Sequence, residues 1–263
     1  MGVEVSVEGY TKEEEARRLL SSGAFDLAAL PDTAIFSLLR ESLLLPLGGA
    51  IASPLPAEPQ FLHHYFDPGN QFAWPFGFTL LGIGGQGTPA EMPSHWKELA
   101  ERRVPFRPPP SPIFARFLSA ALAHGFPPSR GSLGGQGNPT SPAGEENARI
   151  QVDFAQRLVP RKEASGWIVH IPSEGSWIRL LHWAIPRGCS DPKATGAALQ
   201  LLYRPENLGR FTAEALLAAT ARDARRAVPT ELLRNPNVYP AESLLDRCVF
   251  ARVDWLPLSS AAA

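Results

Sequence analysis

The sequence predicts an α/β protein of two lobes joined by crossing strands. Three observations point there: strand-like and helix-like segments alternate through the first forty residues, a long aromatic strand-like run lies in the middle, and more strand-like segments precede a helical C-terminal third. A chain of 263 residues is long enough for one large domain or two small ones. The 27 prolines and 22 glycines make it rich in turns but keep it below the ~25–30% that marks low-complexity sequence. The 25 basic and 26 acidic residues nearly cancel, which gives no support to nucleic acid or an anionic membrane as the main partner. No stretch approaches ~18 consecutive apolar residues, so no transmembrane helix is predicted.

Val3, Val5 and Val7 alternate with polar residues and read as a first strand. Thr11 and Glu14 form a capping box for a helix striped by Ala16, Leu19 and Leu20 and stopped at Gly23. Phe25–Leu30 has the length and apolarity of a second strand, and Pro31-Asp32-Thr33 opens a helix carrying Ile35, Leu38 and Leu39. Strand, helix, strand, helix at this spacing predicts right-handed crossovers and a parallel sheet. Pro46–Asn70 is irregular, and Phe72–Gly84 is the aromatic strand. Ser94 caps a helix to about Arg103, and a proline cluster precedes a helix from Ile113 to Leu122 that ends at Gly125. Residues 126–147 read as an exposed Gly/Pro/Ser loop. Strands follow at Arg149–Phe154, Trp167–Pro172 and Trp177–Pro186, then helices at Lys193–Tyr203, Pro205–Leu217 and beyond Pro240.

Few groups announce chemistry. Gly82-Ile83-Gly84-Gly85-Gln86-Gly87 fits the G-x-G-x-x-G spacing, but Pro89 and Pro93 delay the next helix to Ser94, so the glycines read as an open, flexible crossing and not as a dinucleotide site. The six histidines lack the spacing of a zinc site, and no nucleophile elbow or P-loop occurs; no cofactor, metal or catalysis is expected. Cys189 and Cys248 are far apart and read as two thiols. Asp32 and Thr33 sit where a predicted strand ends and a helix begins, a place suited equally to helix capping and to ligand contact. Trp74, Phe76 and Phe78 suit either a core or a pocket wall.

Several stretches together resemble bacterial spermidine/putrescine-binding proteins. Tyr65-Phe66-Asp67-Pro68-Gly69-Asn70-Gln71-Phe72-Ala73-Trp74-Pro75-Phe76, running on to Gly84, is similar to the family's entry into the first interlobe crossing. Gly23–Leu27 with Pro31, Ile171-Pro172-Ser173-Glu174-Gly175 with Ala184-Ile185-Pro186, Leu201–Asn207, and Asn237-Val238-Tyr239-Pro240 agree in order and spacing. The resemblance implies a two-lobed periplasmic-binding-protein fold of type II, with residues 1–83 plus 177–219 as one lobe and 84–176 plus 220–263 as the other. It also implies an extracytoplasmic solute-binding component of an ABC importer, whose partners are a small solute and a membrane permease. The family's first strand–helix unit is expected to be missing ahead of Val3, together with a signal peptide, as from a misassigned start or a truncated gene.

Carried across residue by residue, the family's tryptophan and aspartate fall on Arg179 and Leu181. Its first-turn contacts fall on Asp32 and Ala34, its acidic pair near Pro112 and Ala115, its late tyrosine on Ala218, and a middle tryptophan near Val152 and Asp153. The resemblance thus implies Asp32, Asp153 and Arg179 as ligand contacts, and Thr33 at the helix start and Phe78 of the aromatic strand join them as expected contacts from the reading of the residues. A second ammonium facing Arg179 would be repelled by about 4 kcal/mol at ~4 Å and an effective dielectric of ~20. A polyamine or a small anion is therefore the expected solute. The alternative is a degenerate scaffold of the same fold that binds no solute or serves a protein partner.

Overall fold

A computed structural model describes residues 6–10, 13–101, 105–134, 148–163 and 166–256. In chain order these form α1 (Glu13–Ser21), β1 (Ala28–Pro31), α2 (Asp32–Arg40), β2 (Leu44–Leu45), β3 (Ala73–Gln86), α3 (Trp96–Glu101), β4 (Phe106–Arg107), α4 (Pro112–His124), β5 (Ile150–Phe154), α5 (Ala155–Leu158), β6 (Trp167–His170), β7 (Trp177–Pro186), α6 (Pro192–Leu202), α7 (Pro205–Glu214), β8 (Ala218–Ala219), α8 (Thr230–Leu233), α9 (Glu242–Leu245) and β9 (Val249–Phe250). Short 3-10 turns fill several of the connections.

The caps follow the expected chemistry. Pro112 starts α4 and Gly125, at φ 92°, ends it. Asp191 accepts from the amides of Lys193 and Ala194 at the head of α6, with Pro192 in its first turn. Helix α3 starts at Trp96, and Glu98 in its first turn accepts from the Ser94 amide at 2.7 Å and from the Ser94 hydroxyl at 3.2 Å.

The strand order is β1-β7-β3-β5-β4, with β2 and β9 also on β7, and β6 and β8 also on β3. Strand β3 is the axis of this arrangement. It pairs antiparallel with β7 from Ala73↔Ala184 to Leu80↔Ile178, then with β5 from Leu81↔Phe154 to Gly85↔Ile150. The register shifts once, between Pro75 and Gly77, where proline supplies no amide to the ladder. Thr220 closes that irregularity, its hydroxyl donating to the Pro75 carbonyl at 2.7 Å and its amide to the Phe76 carbonyl at 3.2 Å.

Three expectations are corrected. The sheet is mixed, not parallel: β1 runs antiparallel to β7, and among the described strands only β4–β5 and β7–β9 pair in parallel. The partner of β1 comes from a distant part of the sequence, so local spacing could not give its direction. Of the first predicted strand, residues 1–5 lie outside the described residues, and Ser6–Tyr10 adopt no regular structure, with Val7 90% exposed. The Gly82–Gly85 run is not an open loop but the buried end of β3. A Cβ at Gly85 would approach the Arg149 carbonyl to 2.8 Å, and one at Gly82 would approach Ile171 to 2.9 Å. These glycines allow neighbouring chain to pack close against the strand. Residues 135–147, most of the predicted loop and of the second Gly-Gly-Gln-Gly, lie outside the described residues. Cys189 and Cys248 are both free thiols.

The approach to β3 is held by one carboxylate. Asp67, 5% exposed, accepts from the amides of Gln71, Phe72 and Ala73 at 2.9, 2.8 and 3.1 Å. Asn70, at φ 49°, accepts from the His63 amide within the same turn. Asp67→Ala leaves three amides without their acceptor and is expected to lower unfolding free energy by about 3 kcal/mol in urea titration. A loss indistinguishable from zero would show that the turn forms without it.

Candidate functional site

The charged groups converge where β3 exchanges β7 for β5. Arg179 lies on β7 directly opposite Thr79 of β3. Pairing of β1 with β7 sets Pro31 opposite Leu181, and α2 begins at the next residue, so Asp32 arrives beside Leu180. The Asp32 carboxylate accepts from the amides of Thr33, at 3.0 Å, and of Leu180. The Thr33 hydroxyl donates to Glu13 Oε1 at 2.7 Å and so ties the first turn of α1 to that of α2. The Tyr10 hydroxyl donates to the Ala29 carbonyl at 2.9 Å.

Strand β5 and helix α5 supply the opposing groups. The Arg179 guanidinium carbon lies 4.7 Å from the centroid of the Phe154 ring, a cation–π distance. Asp153 accepts from the Phe154 amide at 2.8 Å and from Gln151 Nε2 at 3.2 Å, with Arg157 Nη1 3.9 Å from its second oxygen. The Gln156 amide donates to the Thr79 hydroxyl at 3.4 Å, joining α5 to β3 beside Arg179.

Burial governs the electrostatics. Asp32 is 3% exposed, and its removal from water pushes the carboxyl up to about 7 against the opposing pull of Arg179 and the two amides. Burial also raises Asp153, against the Phe154 amide and the Arg157 charge. Arg179 is pulled below its ordinary value by burial, and Asp32 and Glu13 oppose that change. Burial also raises Tyr10, up to about 12. Among the described residues, Arg179 Nε is buried without a hydrogen-bond partner, as is Gln156 Oε1.

Asp32, Thr33, Asp153 and Arg179 therefore lie in one neighbourhood. Phe78 does not join them. It is paired with Leu180 one position along, so strand alternation turns it to the opposite face. There it is 2% exposed and stacks on Phe61 with ring centroids 4.7 Å apart. Glu13, Arg157 and Gln156 were not anticipated. The spacing of Asp153 and Arg157, four residues apart, was a usable signal for one of them, whereas the Glu13–Thr33 contact left no trace in local sequence. His64 and His182 are neighbours, and burial lowers both, His182 to about 3. Among the described residues no group of three or more His, Cys, Asp or Glu is disposed to hold a metal. Two surface depressions, along Pro46–Trp74 and Ser190–Lys193, include none of the Asp32–Arg179 group.

No protein-family model matches the chain, and no curated protein matches it. Solved structures do. The spermidine/putrescine ABC transporter substrate-binding protein PotD from Streptococcus pneumoniae is 20% identical, with a TM-score of 0.75 over 92% of this chain and 83% of that one. A putative spermidine/putrescine ABC transporter protein from Listeria monocytogenes is 18% identical, with a TM-score of 0.70 over the same shares of the two chains. The periplasmic binding protein MotA from A. tumefaciens, solved in complex with glucopine, is 10% identical, with a TM-score of 0.71 over 94% of this chain and 84% of that one. The fold is thus that of the periplasmic binding proteins, as the resemblance implied.

The folded-state value of about 7 for Asp32 lies above the ordinary 3.8, so between those pH values the folded chain holds more protons than the unfolded one. Its contribution to stability is present in acid and is lost as pH rises through that window. Asp32→Asn is expected to remove this dependence, gaining on the parent protein by about 3 kcal/mol from pH ~4 to ~7 in urea unfolding at stepped pH. Parallel pH curves for the two proteins would show that Asp32 ionises normally.

Proposed function

We propose that the chain is the solute-binding component of an ABC importer, working outside the cytoplasmic membrane and delivering a small solute to a permease without altering it. Residues 1–83 with 177–219 form one proposed lobe, and 84–176 with 220–263 the other. Closure bends the segments Phe78–Gly84 and Ser176–Arg179. The observation that carries this reading is the change of partner on β3 between Leu80 and Leu81, beside which α1, α2, β5, α5 and β7 all contribute charged or polar groups. Binding proteins hold ligands where rigid strands deliver side chains from both sides.

The likeness to two spermidine/putrescine transport proteins supports a scaffold of the polyamine-binding type, and the glucopine complex supports a wider range of solutes on that scaffold. Asp32 and Asp153 suit an amine, while Arg179 opposes a purely cationic ligand. The deep burial of Asp32 and Asp153, each 3% exposed, favours a second reading in which the scaffold holds no solute.

Thermal-shift screening separates the two. A solute present at ~100 times its Kd stabilises by about 2.7 kcal/mol, which is roughly 5–10 °C in Tm for a chain of this size. A shift with polyamines, small anions or amino acids supports solute binding, and the absence of any shift supports the empty scaffold. Phe78→Leu is expected to cost about 1 kcal/mol of stability while leaving solute affinity unchanged, because Phe78 packs on Phe61 on the far face of β3. A large loss of affinity with stability intact would make Phe78 a ligand contact.

A further inference from the structure

Resting on that reading, we infer that the site takes a solute bearing a carboxylate and an amino group on one molecule, in preference to a polyamine. The acids of the cluster are already engaged by the chain's own donors. Asp32 accepts from the amides of Thr33 and Leu180, Glu13 from the Thr33 hydroxyl, and Asp153 from the Phe154 amide and Gln151. Arg179 is not engaged in that way. Its guanidinium packs over the Phe154 ring, yet its Nε is buried with no hydrogen-bond partner among the described residues. A planar guanidinium presents donors in a rigid fork that matches a carboxylate, and a buried donor without an acceptor is a standing cost that such a ligand removes.

A second cation lies close. Arg157, half exposed on α5, acts on Arg179 as a like charge, so an anion beside the two relieves their repulsion. The rest of the wall is acidic, with Asp32, Glu13 and Asp153 all acting on the neighbourhood of Arg179. A diamine would set its second ammonium against Arg179, and a dicarboxylate would set its second carboxylate against those acids. A zwitterion meets both requirements, with its carboxylate on Arg179 and its ammonium toward Asp32 and Asp153.

Calorimetry on the full chain with three matched series, diamines, ω-amino acids and dicarboxylates of three to six carbons, tests this alongside a broad solute library. At least one amino acid is expected to bind more tightly than its diamine and dicarboxylate counterparts. Arg179→Met is expected to weaken that binding roughly 100-fold, and Arg157→Gln, at an exposed position, about threefold with the fold intact. Tighter binding of a diamine or a dicarboxylate, or binding only of library members lacking either group, overturns the inference and leaves solute binding standing. Amino-acid binding that survives both substitutions also overturns it. No binding by any solute overturns both.

Discussion

The pairing of β3 with β7 is the constraint on which the rest of the molecule depends. Each of the four apolar clusters contains residues from both strands: Leu81 and Ile83 with Trp177, Trp74 and Phe76 with Trp183 and Ile185, Ala73 with Ala184, and Phe78 and Leu80 with Ile178 and Leu180. All of β3 except Gln86 is buried. A ribbon covered on both faces must be apolar along its length and must satisfy its backbone groups through neighbouring strands. That is why β5, β6, β8, β1 and β9 are all added to these two strands, and why glycines stand where chain packs closest. Displacing the ribbon would disturb every cluster at once.

The same ribbon sets the position of the charged groups. Asp32 stands near Arg179 because β1 pairs with β7 in a register that ends opposite Leu181, where α2 begins. Asp153 and Phe154 arrive from the other edge of β3, where β5 pairs with it from Leu81 to Gly85. The Thr33–Glu13 hydrogen bond then fixes α1 against this arrangement. Five separate stretches of sequence therefore meet at one place, each anchored by regular secondary structure. Such anchoring favours recognition, since the donors keep their geometry whether or not a solute is present.

Much of this was legible in the sequence, for reasons that can be named. Strands β3, β5, β6 and β7 were readable nearly to their ends, because buried strands are unbroken apolar and aromatic runs. Helix α4 was readable from its leading prolines and Gly125, since caps are local chemistry, and α6 was placed at Lys193–Tyr203, although its Asp191-Pro192 cap was a further local signal. Strand direction was not, because β1 takes its partner from far along the chain and the sheet consequently came out mixed. The glycines of β3 looked like a loop because composition carries no information about what packs against them. Asp153 and Arg179 were reached through resemblance to a family, position by position, and Asp32 also from its place where a strand ends and a helix begins. Phe78, read from the aromatic strand, shows the limit of local pattern: alternation along a strand says that neighbours face opposite ways, but which face carries the charged groups is decided by helices and strands elsewhere.

Arg179 and Asp32 bear the marks of a single condition. Burial raises one and lowers the other, so each charge is disfavoured by loss of water and supported only in part by the other. A buried ion pair in full contact would resolve this by direct hydrogen bonds, and a hydrophobic replacement would resolve it by removing both charges. Neither is found here. The Asp32 carboxylate is held by the amides of Thr33 and Leu180, while Arg179 is held by its strand and by the Phe154 ring. The scaffold thus fixes the two groups through different elements, and Asp32 cannot turn to Arg179 without giving up the amides of Thr33 and Leu180. On the proposed reading, two charges held apart in this way suit the two ends of a third molecule.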